Sequence, residues 1–179
     1  FRKQPYHLPG CDSYRTKGNP ATGLRRLLRK QDEESKHFVA IDYHQASHLI
    51  AKLKPSDLIG ALALRFTMLT ACRSAPVRLA TWDEFDENLT TCSIPKEKMK
   101  TKIDFSIPLS LAASNLIGTL RKNRRDNTNL IFPSPSKPKQ PISENTMRQL
   151  LQSYIPGATV HGMRATFRTW ARDVARSPE

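Results

Sequence analysis

Val160-His161-Gly162-Met163-Arg164-Ala165-Thr166-Phe167-Arg168-Thr169-Trp170 is the stretch on which the reading of this chain turns. As a helix capped by Thr159, it sets His161, Arg164, Arg168 and Arg172 on one narrow stripe, at offsets of three, four and four residues. Met163, Phe167, Trp170 and Val174 keep the same rhythm on the opposite side, which is expected to pack inward. The polar stripe then presents an imidazole beside a ladder of guanidiniums. Guanidinium matches the geometry of phosphate oxygens, and imidazole moves a proton near neutral pH. A lone His-x-x-Arg is more often a solvated helix face, so the rest of the chain has to decide its meaning.

The chain has 179 residues, enough for one core with a short piece of a second domain attached. A hydrophobic fraction of 38% supports folding, while 29 Lys and Arg against 16 Asp and Glu leave a net charge of +13. Such an excess points to a polyanionic partner. An anionic membrane surface is the competitor. No apolar run reaches the length of a membrane span, however, and Phe1-Arg2-Lys3-Gln4-Pro5 opens no signal-peptide core. Cys11, Cys72 and Cys92 form no Cys-x-x-Cys pair, which argues against a zinc site or disulfide framework and fits a reducing cytosol. With no Gly-rich phosphate loop, Walker pattern or carboxylate metal cluster in the sequence, no cofactor and no metal are expected.

Residues 1–37 differ in character from the rest of the chain. Pro5, Pro9, Gly10 and Gly18-Asn19-Pro20 break any regular pattern, and Arg2, Lys3, Arg15, Lys17, Arg25, Arg26, Arg29 and Lys30 face only Asp12 before position 32. This segment reads as a basic linker or the end of a preceding domain, and residues 38–179 as the main domain. Asp42 is expected to cap a helix burying Ala46, Leu49, Ile50 and Leu53. A second helix, with Leu58, Leu62, Phe66 and Leu69 at helical spacing and Ile59 and Ala63 widening the stripe, is apolar enough to be a central core helix; it runs out at Arg73, a cation that needs anionic company. Thr90–Pro95 and Ile103–Pro108 read as strands joined by an exposed, mobile lysine hairpin, Lys96 to Lys102. Leu111 to Lys122 reads as a helix with Ala112, Leu116, Ile117 and Leu120 inward, and Leu130–Pro133 as a brief third strand. Ser143 caps another helix, with Met147, Leu150, Leu151 and Tyr154 inward. The fold class is therefore mainly α with a small antiparallel β-sheet.

The order of these parts resembles a known family. Leu69-Thr70-Ala71-Cys72-Arg73-Ser74, Trp82-Asp83-Glu84-Phe85-Asp86, Met99-Lys100, Ile107-Pro108-Leu109-Ser110, Ile131-Phe132-Pro133-Ser134 and His161-Gly162-Met163-Arg164 succeed one another as in the catalytic domain of tyrosine recombinases. The likeness is strongest to integrases of satellite-phage and genomic-island type. It implies that residues 1–37 join or end a core-binding domain and that 38–179 are part of the catalytic domain.

The resemblance also implies roles. Arg73 and Arg164 match the two arginines that clamp the scissile phosphate, His161 the histidine that assists proton transfer, and Lys100 the hairpin lysine that protonates the departing 5′ oxygen, with Lys102 as the alternative. The implied chemistry is attack by a tyrosine on a DNA phosphodiester, giving a 3′-phosphotyrosyl link, with neither metal nor ATP. Implied partners are double-stranded attachment-site DNA, further copies of the protein on that DNA, and an accessory DNA-bending protein. The implied place is the bacterial cytoplasm, on the nucleoid.

Two departures stand out. Where the family has an acid three positions after its first arginine, this chain has Pro76, with Asp83 and Glu84 as candidate replacements. The family's nucleophilic tyrosine comes after the second arginine, yet Tyr6, Tyr14, Tyr43 and Tyr154 all precede His161. On that reading the stretch binds DNA without carrying the nucleophile. The rival is a non-catalytic DNA-binding protein derived from a decayed integrase. Basic RNA binding is disfavoured, because no aromatic platform accompanies the charge.

Overall fold

The structure, a computed structural model, describes residues 40–99, 101–124 and 128–175. The expectations for residues 1–37, Cys11 and the position of Lys100 lie outside the described residues. Within them are six helices: α1 (Tyr43–Leu53), α2 (Ile59–Thr70), α3 (Ser74–Arg78), α4 (Leu111–Lys122), α5 (Glu144–Tyr154) and α6 (Gly162–Asp173). One antiparallel pair, β1 (Thr91–Ile94) with β2 (Phe105–Pro108), completes the architecture, in the register Cys92 opposite Ile107. The expected class, mainly helical with a small antiparallel sheet, is the observed one.

The hub is α2, which touches α1, α3, α4, α5 and α6. Its sequence explains this position. Gly60, Ala61, Ala63, Leu64, Phe66, Thr67 and Met68 are all buried, so the helix is apolar on nearly every side, as a helix surrounded by others must be. The expected inward stripe of Leu58, Leu62, Phe66 and Leu69 holds only at Phe66. Leu58 precedes the helix and is 68% exposed, and Leu62 and Leu69 are half-buried. Leu62 and Leu69 still pack against the core, and the expected central core helix is the observed one.

The expected caps Asp42 and Ser143 are observed, and Ser110 supplies a further one. The Asp42 carboxylate accepts from the His44 N–H at 2.7 Å, and the Ser110 hydroxyl from the Ala113 N–H at 3.3 Å. Ser143 accepts from the Asn145 N–H at 3.3 Å. Thr159, expected to cap α6, stands two residues before its N-cap His161 and accepts from the Gly162 N–H at 2.9 Å. In α4 the buried set is Ala113, Leu116 and Ile117, with Ala112 outside. In α5 it is Met147 and Leu151, while Tyr154 is exposed. Leu130–Pro133 forms no third strand but takes part in isolated bridges, Thr81 with Leu130 and Pro133 with Pro141. Ile131 and Phe132 between them are fully buried, so the segment is a core-filling crossing, with Phe132 against Phe66.

Helix α6 closes the domain against α1 and α2. The Thr166 hydroxyl, buried, donates to the Ile41 carbonyl at 2.8 Å, tying the end of the described chain to its start. Met163 is buried as expected and Phe167 half-buried, but Trp170 and Val174 are 39% and 53% exposed. The inward face of α6 therefore occupies its first turns only.

Candidate active site

Arg73 owes its position to the way α2 ends. Ala71 adopts left-handed backbone, φ 51° and ψ 25°, turning the chain out of the helix axis. A non-glycine residue there is strained by roughly 1–2 kcal/mol. Cys72 then tucks into the core, and Arg73, extended at φ −71° and ψ 153°, becomes the N-cap of the one-turn helix α3. Pro76 fits this helix because its first turn has no intrahelical acceptors for its N–H groups. It is buried, filling core where the family pattern has an acid.

Arg164 comes from the first turn of α6, its N–H bonded to the His161 carbonyl at 3.1 Å. The two arginines are electrostatic neighbours. Burial first, then the positive charge of Arg73, hold Arg164 below the ordinary arginine pKa, with Cys72 acting the other way and Arg168 adding a smaller push in the same direction as Arg73. Arginine does not lose its proton at any ordinary pH, so the physical content is a half-buried pair of like charges. Among the described residues the ion pairs are Arg78 with Glu144, Lys98 with Glu84 and Arg172 with Asp173. Arg73 and Arg164 belong to none of them. The anion that Arg73 needs is thus not a carboxylate of the described chain.

His161 is exposed at the start of α6, one turn from Arg164. Arg73, His161 and Arg164 are brought to one corner of the domain, where α2 gives way to α3 and α6 begins. Neither an 890 Å³ groove running past Arg65, Trp82 and Leu116 nor a 330 Å³ groove beside His48 and Tyr154 includes any of the three.

Beneath it lie two thiols. Burial pushes Cys72 up, opposed by the Thr70 hydroxyl and by Arg164. Cys92 is pushed up to about 12, by burial first, then by Glu84 and Cys72, with Lys98 opposing. Both are neutral, inert core residues, free of disulfides. No group of His, Cys, Asp and Glu able to hold a metal occurs among the described residues.

The hairpin departs from expectation. Lys96 to Lys98 form a 3₁₀ turn, and Lys98 folds back under it. Its ammonium donates to the Glu84 carboxylate and to the Leu79 carbonyl. Met99 packs against the core. The mobile, solvated finger is corrected to a turn pinned at Lys98 and Met99, because Glu84 is a buried carboxylate that must find a cation. Nothing in the order of residues marks Lys98 as the inward lysine of this basic run. The two candidate replacements for the acid at Pro76 are also committed elsewhere. Asp83 accepts from the Asn129 amide, and Glu84 from Thr81 and Lys98.

Solved structures with this fold are integrases and recombinases. The Tn1549 transposon integrase in complex with circular intermediate DNA superposes with a TM-score of 0.62 at 14% identity, over 82% of this chain and 56% of that one. A lambda integrase tetramer bound to a Holliday junction gives 0.55 at 17% identity, over 76% and 43%. The fold is therefore that of a tyrosine-recombinase catalytic domain. The model of the phage integrase family matches residues 40–173, and the chain belongs to that family. Among its relatives, prophage integrase IntA of Escherichia coli K12 is 32% identical over 164 residues, 89% of this chain and 39% of IntA. The integrase of enterobacteria phage P4 is 27% identical over 168 residues, 86% and 38%. The chain thus spans about two fifths of the curated relatives it matches.

Proposed function

We propose that this chain is the phosphate-binding core of a site-specific recombinase that integrates and excises a mobile element through a 3′-phosphotyrosyl intermediate. The observation that carries the reading is the half-buried Arg73 and Arg164 pair, without a carboxylate partner among the described residues, in a domain within a +13 chain. Two guanidiniums set side by side are complementary to the two non-bridging oxygens of a phosphodiester, and more so as charge builds on them in the pentacoordinate transition state.

In this reading the tyrosine oxygen forms the bond to phosphorus while the bond from phosphorus to the 5′ oxygen breaks. Lys100 gives its proton to that oxygen, and His161 takes up the tyrosine proton. The reverse reaction, with a different 5′ hydroxyl, rejoins the strand, so no external energy source enters. The tyrosine is supplied from outside these 179 residues. Tyr43 lies on α1 against His44, and Tyr154 at the exposed end of α5. Copies of the protein assemble on duplex attachment-site DNA, with an accessory bending protein, in the bacterial cytoplasm. Among the described residues no helix is long and apolar enough to cross a membrane.

The test uses the complete reading frame containing this stretch, on a nicked attachment-site duplex from its own element. A covalent protein–DNA adduct is expected, lost in Arg73→Ala and Arg164→Ala although both still bind DNA. DNA binding without any adduct from the unaltered protein favours the non-catalytic rival.

A further inference from the structure

The polar stripe of α6 carries more positive charge than a single phosphate needs. Arg73 and Arg164 are assigned to the phosphate that is cut, and Arg172 is paired with Asp173 at 2.8 Å. Arg168, between Arg164 and Arg172 on the stripe, is exposed and belongs to no ion pair among the described residues. Four residues after Arg164 in the same helix, it stands on the same side and about 6 Å further along the axis. The two charges feel each other. Burial first and then Arg73 hold Arg164 below the ordinary arginine pKa, and Arg168 pushes in the same direction.

The backbone between the two arginines is pinned. Met163 and Thr166 are buried, and the Thr166 hydroxyl donates to the Ile41 carbonyl at 2.8 Å. Half-buried Phe167 packs against Trp170, with ring centroids 5.5 Å apart. Thr166 lies two residues from each arginine, which on a helix is nearly the opposite side, so both guanidiniums leave the helix away from its anchor. Their spacing is thus set by a rigid element, and it is comparable with the step between successive phosphates of one DNA strand.

We infer that Arg168 holds the phosphate next to the one that is cut, on the same strand, so that α6 grips two successive phosphates and sets the register of the duplex over the site. This rests on the proposed reading of Arg73 and Arg164. Arg168 touches no reacting atom; it binds and places the strand.

Neutralising single phosphates tests the assignment. The complete reading frame, as wild type, Arg168→Ala and Arg168→Lys, is titrated with half-site duplexes of its own attachment site. In these a methylphosphonate replaces one phosphate at a time on either side of the cleaved one, which the covalent adduct locates. On the unmodified duplex Arg168→Ala is expected to bind about tenfold more weakly, with the slope of log affinity against log salt smaller by about 1, while Arg168→Lys keeps the slope. One flanking methylphosphonate is expected to weaken the wild type to a similar degree and Arg168→Ala no further. A loss caused by misfolding would instead be the same on every duplex. Unchanged affinity of Arg168→Ala, or losses that add at both flanking positions, overturn the role of Arg168 and leave the arginine pair untouched. No adduct from the wild type, or full cleavage by Arg164→Ala, overturns the reading on which it rests.

Discussion

The guanidinium of Arg164, on the first turn of α6, lies within reach of the charge of Arg73, at the corner where α2 gives way to α3. Folding brings these like charges together against their repulsion. An anion bound between them would offset that repulsion.

Replacing Arg164 with Leu is accordingly expected to raise thermal stability modestly, by on the order of 0.5 kcal/mol after allowing for solvent screening. Inorganic sulfate should stabilise the wild type more than Arg164→Leu, since an ion bound by the native state adds RT ln(1 + [L]/Kd). General salting effects are common to both proteins. Melting curves over a sulfate titration check this, and equal slopes for the two proteins would count against a shared anion site.

Thr166 should matter more than its size suggests. Its hydroxyl is the buried link to the Ile41 carbonyl at 2.8 Å. Thr166→Val keeps the shape and removes the donor, with an expected loss of about 1–2 kcal/mol. Urea unfolding measures it, and hydrogen exchange should show α1 opening earlier than α4.

Helices α2 and α5 approach closely at Gly60, where an added Cβ would stand 2.8 Å from the Thr146 methyl. Thr146 is β-branched and in the first turn of α5, so its methyl cannot rotate away freely. Gly60→Ala is expected to cost about 1–3 kcal/mol. Adding Thr146→Ser, which removes that methyl, should recover most of the loss. Additive effects in the double-mutant cycle would contradict the contact.

Asp86 organises the turn into β1. Its carboxylate accepts from the Thr90 hydroxyl at 2.7 Å and the Thr91 N–H at 2.6 Å, and these bonds, the Thr90 hydroxyl first, hold it below the usual aspartate range. A depressed folded-state pKa stabilises above the unfolded value and ceases to do so as pH falls through the folded one. Asp86→Asn should therefore melt lower than wild type above about pH 4, with the gap closing at more acid pH. A gap that stays constant down to about pH 2 would contradict this assignment.

Much of the domain could be read from residue order because its causes are local. Caps at Asp42 and Ser143 depend on a side chain and an N–H two residues away. The strands Thr91–Ile94 and Phe105–Pro108 announced themselves by alternation and bounding prolines. Arg73, His161 and Arg164 could be picked out as candidates because a cation ending an apolar helix and a His-x-x-Arg on a helix face are themselves local anomalies.

What residue order left open were the relations set by packing between distant segments. It marked α2 as a central core helix by its apolar content, but not which helices would cover each side. Nor could it show that one hairpin lysine turns inward, because Glu84 is buried only once α3, β1 and the turn close over it. The meeting of Arg73 with Arg164 is of the same kind. The sequence by itself determined which groups are present and which local elements carry them; the tertiary structure alone decided which charges are brought together, because that depends on distance and burial, and neither is a property of chain order.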